Sequence, residues 1–288
     1  MLLIDLNQVL ISGIMGQINN NKDTELSEDL LRHMVLNTIR FHVNNHKKQY
    51  GPEVVLCCDN RKYWRRDFFP HYKANRKKSR EKSDLDWHLI FDLLAKFKQE
   101  LKENFHYKVV DVEGAEADDV IAVLTTSNIK KQNVLIVSSD GDFMQLQQLN
   151  SNSKYKVKQY NPIMKKYVTS ENPQAELKEK IIRGDKGDGI PNIFSPADTF
   201  INESRQKQIS KGTLEKLMGE DCEKWEDQSA RDGFVRNQTL IDLRHIPVSI
   251  TQAIINNYET LQVAPRSKML NYFVEHKLKN LMEVIEEF

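Results

Sequence analysis

Residues 133–143, NVLIVSSDGDF, decide how this chain is read. Four apolar residues lead through two serines to a pair of acids, Asp140 and Asp142, parted by one glycine. A short β-rich run bounded by polar residues predicts a buried strand, and ligands of open α/β sheets bind beyond the carboxyl ends of such strands. The pattern recurs: LLID ends at Asp5, VVLCCD ends at Asp59, and EADD brings Glu116, Asp118 and Asp119 to the start of an amphipathic segment. Carboxylates gathered at one sheet edge repel one another unless protons or cations neutralise them. Oxygen-only donors favour Mg²⁺ or Mn²⁺ over zinc, and two such ions about 3.5 to 4 Å apart suit phosphodiester hydrolysis. Taken singly the signals are weaker, because acids in a first helical turn also favour the helix dipole and Asp-Gly is a common turn.

Working outward, 288 residues with 39% hydrophobic content support an ordinary buried core in one large domain or two small ones. Cys57, Cys58 and Cys222 form neither a disulfide framework nor a zinc-type pair, which points to a reducing compartment. The first apolar stretch is interrupted by Asp5 and lacks a basic lead, so no signal peptide is expected, and no segment approaches a membrane span. The protein is expected in the cytoplasm.

Apolar spacing predicts helices over 28–46, over 85–101 (Leu85, Leu89, Ile90, Leu93, Leu94, Phe97, Leu101) and from about 116 to 127. Strands are expected at 54–59, before Glu116 and at 134–139, and KYKVKQYNPIMKKYV at 154–168 reads as a basic hairpin turning near Asn161-Pro162. From about residue 174 onward, helical spacing with Gly and Pro punctuation predicts packed helices, giving a boundary near residue 170.

Charge is distributed unevenly. Residues 61–82 hold ten Lys or Arg against Asp67 and Glu81, about +8, which leaves about −7 elsewhere in a chain of net +1. Arg65, Arg66, Lys73, Arg76, Lys77, Lys78 and Arg80 alternate with Tyr63, Trp64, Phe68, Phe69 and Tyr72. Cations meet phosphates and aromatic faces stack on unpaired bases; a solvated helix with core aromatics has the same composition. A third segment, IIRGDKGDGIPNI at 181–193, contains Gly184, Gly187 and Gly189 with Asp185 and Asp188. Its backbone can meet a phosphate directly or through a bound cation, and as a bare pattern it also fits a helix-terminating turn.

Asp5, CDN at 58–60, YWRRDFFPHYKANRKKSR at 63–80, EADD, SSDGDF at 138–143 and GDKGDGIP at 184–191 follow one another in an order that resembles the 5′ nuclease (flap endonuclease) superfamily, nearest its T-even-like phage branch. The resemblance spans nearly the whole chain. It implies an α/β, PIN-like core with a mostly parallel sheet over 1–170, a helical arch at about 61–82, and a helical region over 171–288. A helix-three-turn-helix motif at about 177–200 would grip duplex DNA. It further implies two Mg²⁺, for which Mn²⁺ substitutes, with Asp59, Glu116, Asp118 and Asp140 around the first and Asp142, Asp185 and Asp188 around the second. Asp5 is then an outer acid and Asp119 an accessory one. Lys73 resembles the residue that polarises the scissile phosphate, Arg65 or Arg66 its arginine partner, and Tyr72 the aromatic on which a base stacks. DNA contacts are expected from Arg76, Lys77, Arg80, Arg183, Gly184, Lys186, Gly187 and Gly189, with a monovalent cation at the 184–189 loop.

Two departures stand out. Gly189 takes the place of the family's common asparagine, and Pro70 should break a continuous arch helix. The expected activity is a structure-specific, Mg²⁺-dependent 5′ to 3′ exonuclease and flap endonuclease, with ribonuclease H action on RNA primers in lagging-strand replication. Its substrate is duplex DNA with a 5′ flap, fork or RNA primer, its family partners are a single-stranded-DNA-binding protein and a sliding clamp, and it works as a monomer without a membrane. A PIN-type endoribonuclease of single-stranded RNA and a non-catalytic branched-DNA binder are the alternatives.

Overall fold

Strand β1, Leu2–Asp5, is buried at all four residues, and the chain passes without a linker into helix α1, Leu6–Asn20. Asp5 makes that possible, because its carboxylate accepts the backbone N–H of Gln8 at 3.2 Å and so caps the helix it precedes. The computed structural model describes residues 1–20, 27–81, 83 and 85–288.

Helix α2, Glu28–Tyr50, starts at Ser27, whose hydroxyl accepts from Leu30 N–H, and carries Glu28 and Asp29 in its first turn and Lys47 and Lys48 in its last. Strand β2 is Val54–Cys57. Two short helices come next, α3 (Trp64–Phe68) and α4 (Asn75–Glu81), and then α5 (Trp87–Asn104), which buries Ile90, Leu93, Leu94, Phe97 and Leu101. Strand β3 (Lys108–Val110), helix α6 (Ala117–Asn128) and strand β4 (Val134–Val137) lead into a 3₁₀ run, Gly141–Asn152. Strands β5 (Val157–Asn161) and β6 (Lys166–Val168) form the expected hairpin; the Asn161 side chain accepts from Ile163 and Met164 N–H and so builds the turn at Pro162. Helices α7 (Pro173–Arg183), α8 (Lys211–Gly219), α9 (Gln228–Ile241), α10 (Val248–Thr260), α11 (Arg266–Glu275) and α12 (Lys279–Met282) complete the chain.

The six strands lie in the order β3-β2-β1-β4-β5-β6, parallel except for β5 against β6. The expected α/β class with a mostly parallel sheet is what the structure has. Strand order reverses between β1 and β4, and that crevice is where open sheets of this kind take ligands. Asp5 ends one of the two strands and Asp140 lies just past the other.

The chain divides into two compact units, one of residues 1–61, 86–169 and 249–288, the other of 62–85 and 170–248. A change of unit does occur beside residue 170, but 249–288 returns to the first unit and 62–85 is counted with the second, a discontinuity that differs from the division at 170 expected from sequence. Long-range packing draws the last helices back. The buried Arg32 of α2 reaches Glu100 of α5 and the hydroxyl of Tyr272 on α11, while Phe105, Phe273 and Phe288 meet edge-on or tilted. The second unit has its own core, built from Phe69, Tyr72, Ile181, Ile182, Ile193, Leu214, Trp225 and Phe234.

In the second unit the break expected at Pro70 is present, and the expected bounds of the helix-three-turn-helix motif need correction. The arch segment contains α3 and α4 parted by a turn at 69–74, because Pro70 can neither donate nor continue the first helix; Lys82, at the end of the basic window, lies outside the described residues. Among the described residues no helix lies between Gly184 and Ser210, so the second helix of the expected motif begins at Lys211 instead of closing before 200. The intervening chain is held by Asn192, which donates to Lys207 O at 2.7 Å and whose own N–H is accepted by the Gln206 side chain. Among the described residues no helix is long and apolar enough to cross a membrane.

Candidate functional site

In the first unit the acids stand where their strands end. Asp5 is 4% exposed, and its carboxyl is pushed up to about 7, first by burial and then by the nearby negative charge of Asp59, with Asp140 adding a smaller push. Bonds from Ser138 and Gln8 oppose that rise. The Ser138 hydroxyl donates to Asp5 at 2.9 Å and accepts the Asp140 N–H at 3.1 Å, so one side chain spans the crevice between β1 and β4. Asp59 accepts the N–H of Ala117 at 2.9 Å, which ties the end of β2 to the start of α6. Asn60 beside it donates to Asp111 at 2.9 Å, and Lys98 neutralises Asp111 at 2.6 Å.

Glu116 is 2% exposed at the N-terminus of α6 and forms a capping box with Asp119, whose carboxylate accepts the Glu116 N–H at 2.9 Å. Asp119 is fully buried, which gives this accessory acid a structural task. Asp118 is half-buried in the first turn of the same helix. Asp140 accepts the N–H of Asp142 at 2.9 Å, the turn that Gly141 makes possible.

Among the described residues no three His, Cys, Asp or Glu side chains converge closely enough to hold an ion as they stand. The donor set nevertheless fits a hard divalent cation in chemistry: all its donors are oxygens, and the mutual repulsion of Asp5, Asp59 and Asp140 is the charge such an ion would neutralise.

In the second unit the loop after α7 is a tight one. Asp185 and Ile190 exchange backbone bonds at 2.8 and 2.7 Å, and Gly184 and Gly189 take φ of +73° and +72°. A Cβ on Gly184 would lie 2.4 Å from Ile190 O. At Gly189 the left-handed backbone suits glycine, and asparagine next best, which accounts for the exchange of one for the other. Asn237 fixes the loop from behind by donating to Ile181 O and Pro191 O, each at 2.9 Å.

The arch base is stitched to this loop. Lys73 N–H donates to Asp188 O at 2.8 Å, Asn75 donates to Lys186 O at 2.7 Å, and Arg76 donates to Gly187 O at 3.3 Å. Each of these carbonyls accepts one bond from the arch base. The Asp188 carboxylate, expected to face a second metal, receives Arg76 at 2.5 Å, the Tyr72 hydroxyl at 2.9 Å and Lys73 at 3.7 Å. Its pKa is lowered against burial by Lys73 and Arg76. Asp185 pairs with Lys180 at 2.8 Å.

Tyr72 is 2% exposed, so its ring is core and not an open stacking face. Tyr63, half-buried, meets it edge-on at 5.8 Å and lies under the guanidinium of Arg66 at 4.9 Å. Arg65 is also 2% exposed, stacked on Trp64 and donating to Leu240 O at 2.9 Å, a structural tether. Arg76, which shares Asp188 with Lys73, is the arginine that the structure places beside that lysine. Burial and then the positive charge of Arg76 draw the Arg80 pKa down. Lys77, Lys186 and Arg183 are exposed, with Arg183 bonded to Glu179 at 2.6 Å.

Sequence reasoning missed Gln8, Gln159, Asn60–Asp111 and the cap role of Asp119; no local pattern marks a polar residue that serves an acid on another strand. Comparison with known proteins agrees with the motifs. Residues 1–181 match the family model of the 5′-3′ exonuclease N-terminal resolvase-like domain, and residues 171–288 match that of the T4 RNase H C-terminal domain. The chain is 36% identical over 296 residues to the ribonuclease H of Enterobacteria phage T4, covering 99% of this chain and 95% of that one. It is 29% identical to the flap endonuclease Xni of Shewanella woodyi, over 62% of this chain and 72% of that protein. Among solved structures, the bacteriophage T5 5′-exonuclease with zinc bound superposes with a TM-score of 0.61 at 15% identity, covering 91% of this chain and 98% of that one. A T5 flap endonuclease complex with DNA and metal ions gives 0.60 at 16% identity, over 90% and 99%.

Proposed function

The chain belongs to the 5′-3′ exonuclease family, a family of metal-dependent phosphodiesterases, and from that membership we propose that it removes 5′ flaps and RNA primers from duplex DNA with Mg²⁺ as its cation. The observation that carries this reading is the placing of acids at adjacent strand ends: Asp5 ends β1 and is joined through Ser138 to Asp140 beyond β4, while Asp59 beyond β2 holds the start of α6 at Ala117. Divalent ions bound there would supply water activation and charge stabilisation of the leaving oxygen. Asp59, Glu116, Asp118 and Asp140 are the proposed oxygen ligands, with Asp5 orienting Ser138 and Asp142 set by the Asp140 turn. Asp185 and Asp188 serve a second ion only by giving up Lys180, Lys73 and Arg76.

Lys73 and Arg76 are the proposed cations for the reacting phosphate. A phosphate would bring them the negative charge that Asp188 now provides, and both remain on one backbone turn anchored to the 185–190 loop. Arg183, Lys186, Lys77 and Arg80 meet other backbone phosphates, which gives selection by strand shape and ends in place of base sequence. A role in lagging-strand replication, and docking to a single-stranded-DNA-binding protein and a sliding clamp, extend the same reading. The test is a panel of three 5′-labelled substrates, a flap duplex, an RNA-primed duplex and free single-stranded RNA, each with Mg²⁺ or EDTA. Mg²⁺-dependent cutting of the first two supports the proposal, and cutting of free RNA alone overturns it.

A further inference from the structure

The segment that delivers Asp140 is bracketed by two glutamines. Gln159, on β5 and 1% exposed, donates its amide nitrogen to Ser138 O at 3.0 Å and to Asp140 O at 2.6 Å. From the other side Gln8 of α1 accepts the Ser139 N–H at 3.0 Å. Two bonds from one planar amide to carbonyls two residues apart fix the course of the chain beyond β4. On that fixed course Asp140 N–H reaches the Ser138 hydroxyl, and the Asp140 carboxylate receives Asp142 N–H.

The way Gln159 is buried argues for the same role. It stands opposite Ile136 of β4 and Val168 of β6, in a row where an apolar residue would pack well, and its Oε1 is buried with no hydrogen-bond partner among the described residues. A buried acceptor left unsatisfied weakens a fold. Turning the amide over offers no relief, because Oε1 would then face two carbonyl oxygens. A polar group kept where it destabilises the sheet marks a site that serves something other than stability.

We propose that Gln159 is a positioning residue for Asp140 and, through it, for Asp142, fixing the oxygens that a divalent cation meets. The inference rests on the reading of these acids as cation ligands. Loss of such supporting bonds typically lowers metal affinity about 10- to 100-fold. Gln159→Met, similar in length and without donors, removes the unsatisfied Oε1 but also the donor to the Ser138 and Asp140 carbonyls, so the thermal midpoint should change little while Mn²⁺ affinity, measured without DNA by electron paramagnetic resonance, falls about 10-fold or more. In turnover, kcat should fall at low Mn²⁺ and recover as Mn²⁺ is raised, with KM for a flap duplex unchanged. Gln159→Asn, which keeps the amide but is one carbon too short, should show the same Mn²⁺ defect and serves if the methionine variant does not fold.

Mn²⁺ affinity within twofold of wild type in a folded variant overturns the proposal, as does an affinity loss that merely tracks a lowered thermal midpoint. Asp140→Asn separates the two levels. If it loses Mn²⁺ while Gln159→Met does not, the role of Gln159 alone fails; if it binds Mn²⁺ like wild type, the reading of the acids fails and the role of Gln159 with it.

Discussion

The hydroxyl of Tyr72 donates to the carboxylate of Asp188 at 2.9 Å, and the ring behind it is 2% exposed. A side chain that the family resemblance offered as a base-stacking platform is thus a strut between the arch base and the 185–190 loop. Hydrogen bonds to charged groups contribute about 1.5–3 kcal/mol each. Tyr72→Phe should therefore lower unfolding stability by about that amount, read from urea midpoints, while leaving affinity for a single-stranded 5′ end within twofold. A pure stacking residue would keep its stability when only the hydroxyl is removed.

Lys73 makes a different contribution. Its backbone N–H is bound to Asp188 O, its φ is +56°, and its ammonium lies 3.7 Å from the Asp188 carboxylate, so it is held in place before any substrate arrives. One cation among many adds little to affinity, yet one placed at the reacting phosphate acts where charge develops. Lys73→Ala should lower single-turnover flap cleavage about 10²-fold with the Kd for the duplex changed less than about threefold. Equal losses in both would place Lys73 among the general DNA contacts.

The strand-end acids were legible because each comes after an apolar run, and burial of that run fixes where its last carboxylate stands. The hairpin at 157–168 was legible through Asn161-Pro162, and the break in the arch through Pro70. Helix α1 was not, because LLIDLNQVLISG has no turn residue between strand and helix: Asp5 is both strand end and helix cap. Neither was the burial of Arg65 and Tyr72, since composition places a charge run but not the partner that covers it; Leu240 and Asp188 lie more than a hundred residues away in sequence. The return of 249–288 to the first unit depends on contacts such as Arg32 with Tyr272, which local periodicity does not encode.

Histidines 42 and 46 give the fold an acid limit. Their rings stack at 6.4 Å on α2, with Tyr160 tilted or edge-on against both, and Nδ1 of His42 is buried without a partner among the described residues. Burial, and then the charge of His46, lower the His42 pKa from 6.5 to about 4. The unfolded chain then binds the proton more tightly, so this contribution is complete above pH 6.5 and is lost as pH falls toward 4, an effect on the order of 3 kcal/mol. Urea midpoints at pH 7.5 and 5.0 should draw together in His42→Phe; an acid limb as steep as in wild type would assign the loss to other groups.

If carboxylates at the strand ends hold the ions needed to cut 5′ ends, Asp140 beyond β4 is the side chain whose loss should abolish cutting. Single-turnover cleavage of a 5′-labelled flap duplex should be measured for wild type and Asp140→Asn across a Mg²⁺ titration, with duplex affinity monitored in parallel. The wild type should cut only with Mg²⁺, whereas the variant should bind the duplex normally and lose at least about 10²-fold in rate at every Mg²⁺ concentration where the wild type works. Cleavage by the variant at the wild-type rate, or cleavage by the wild type in EDTA, would contradict that role of the acids.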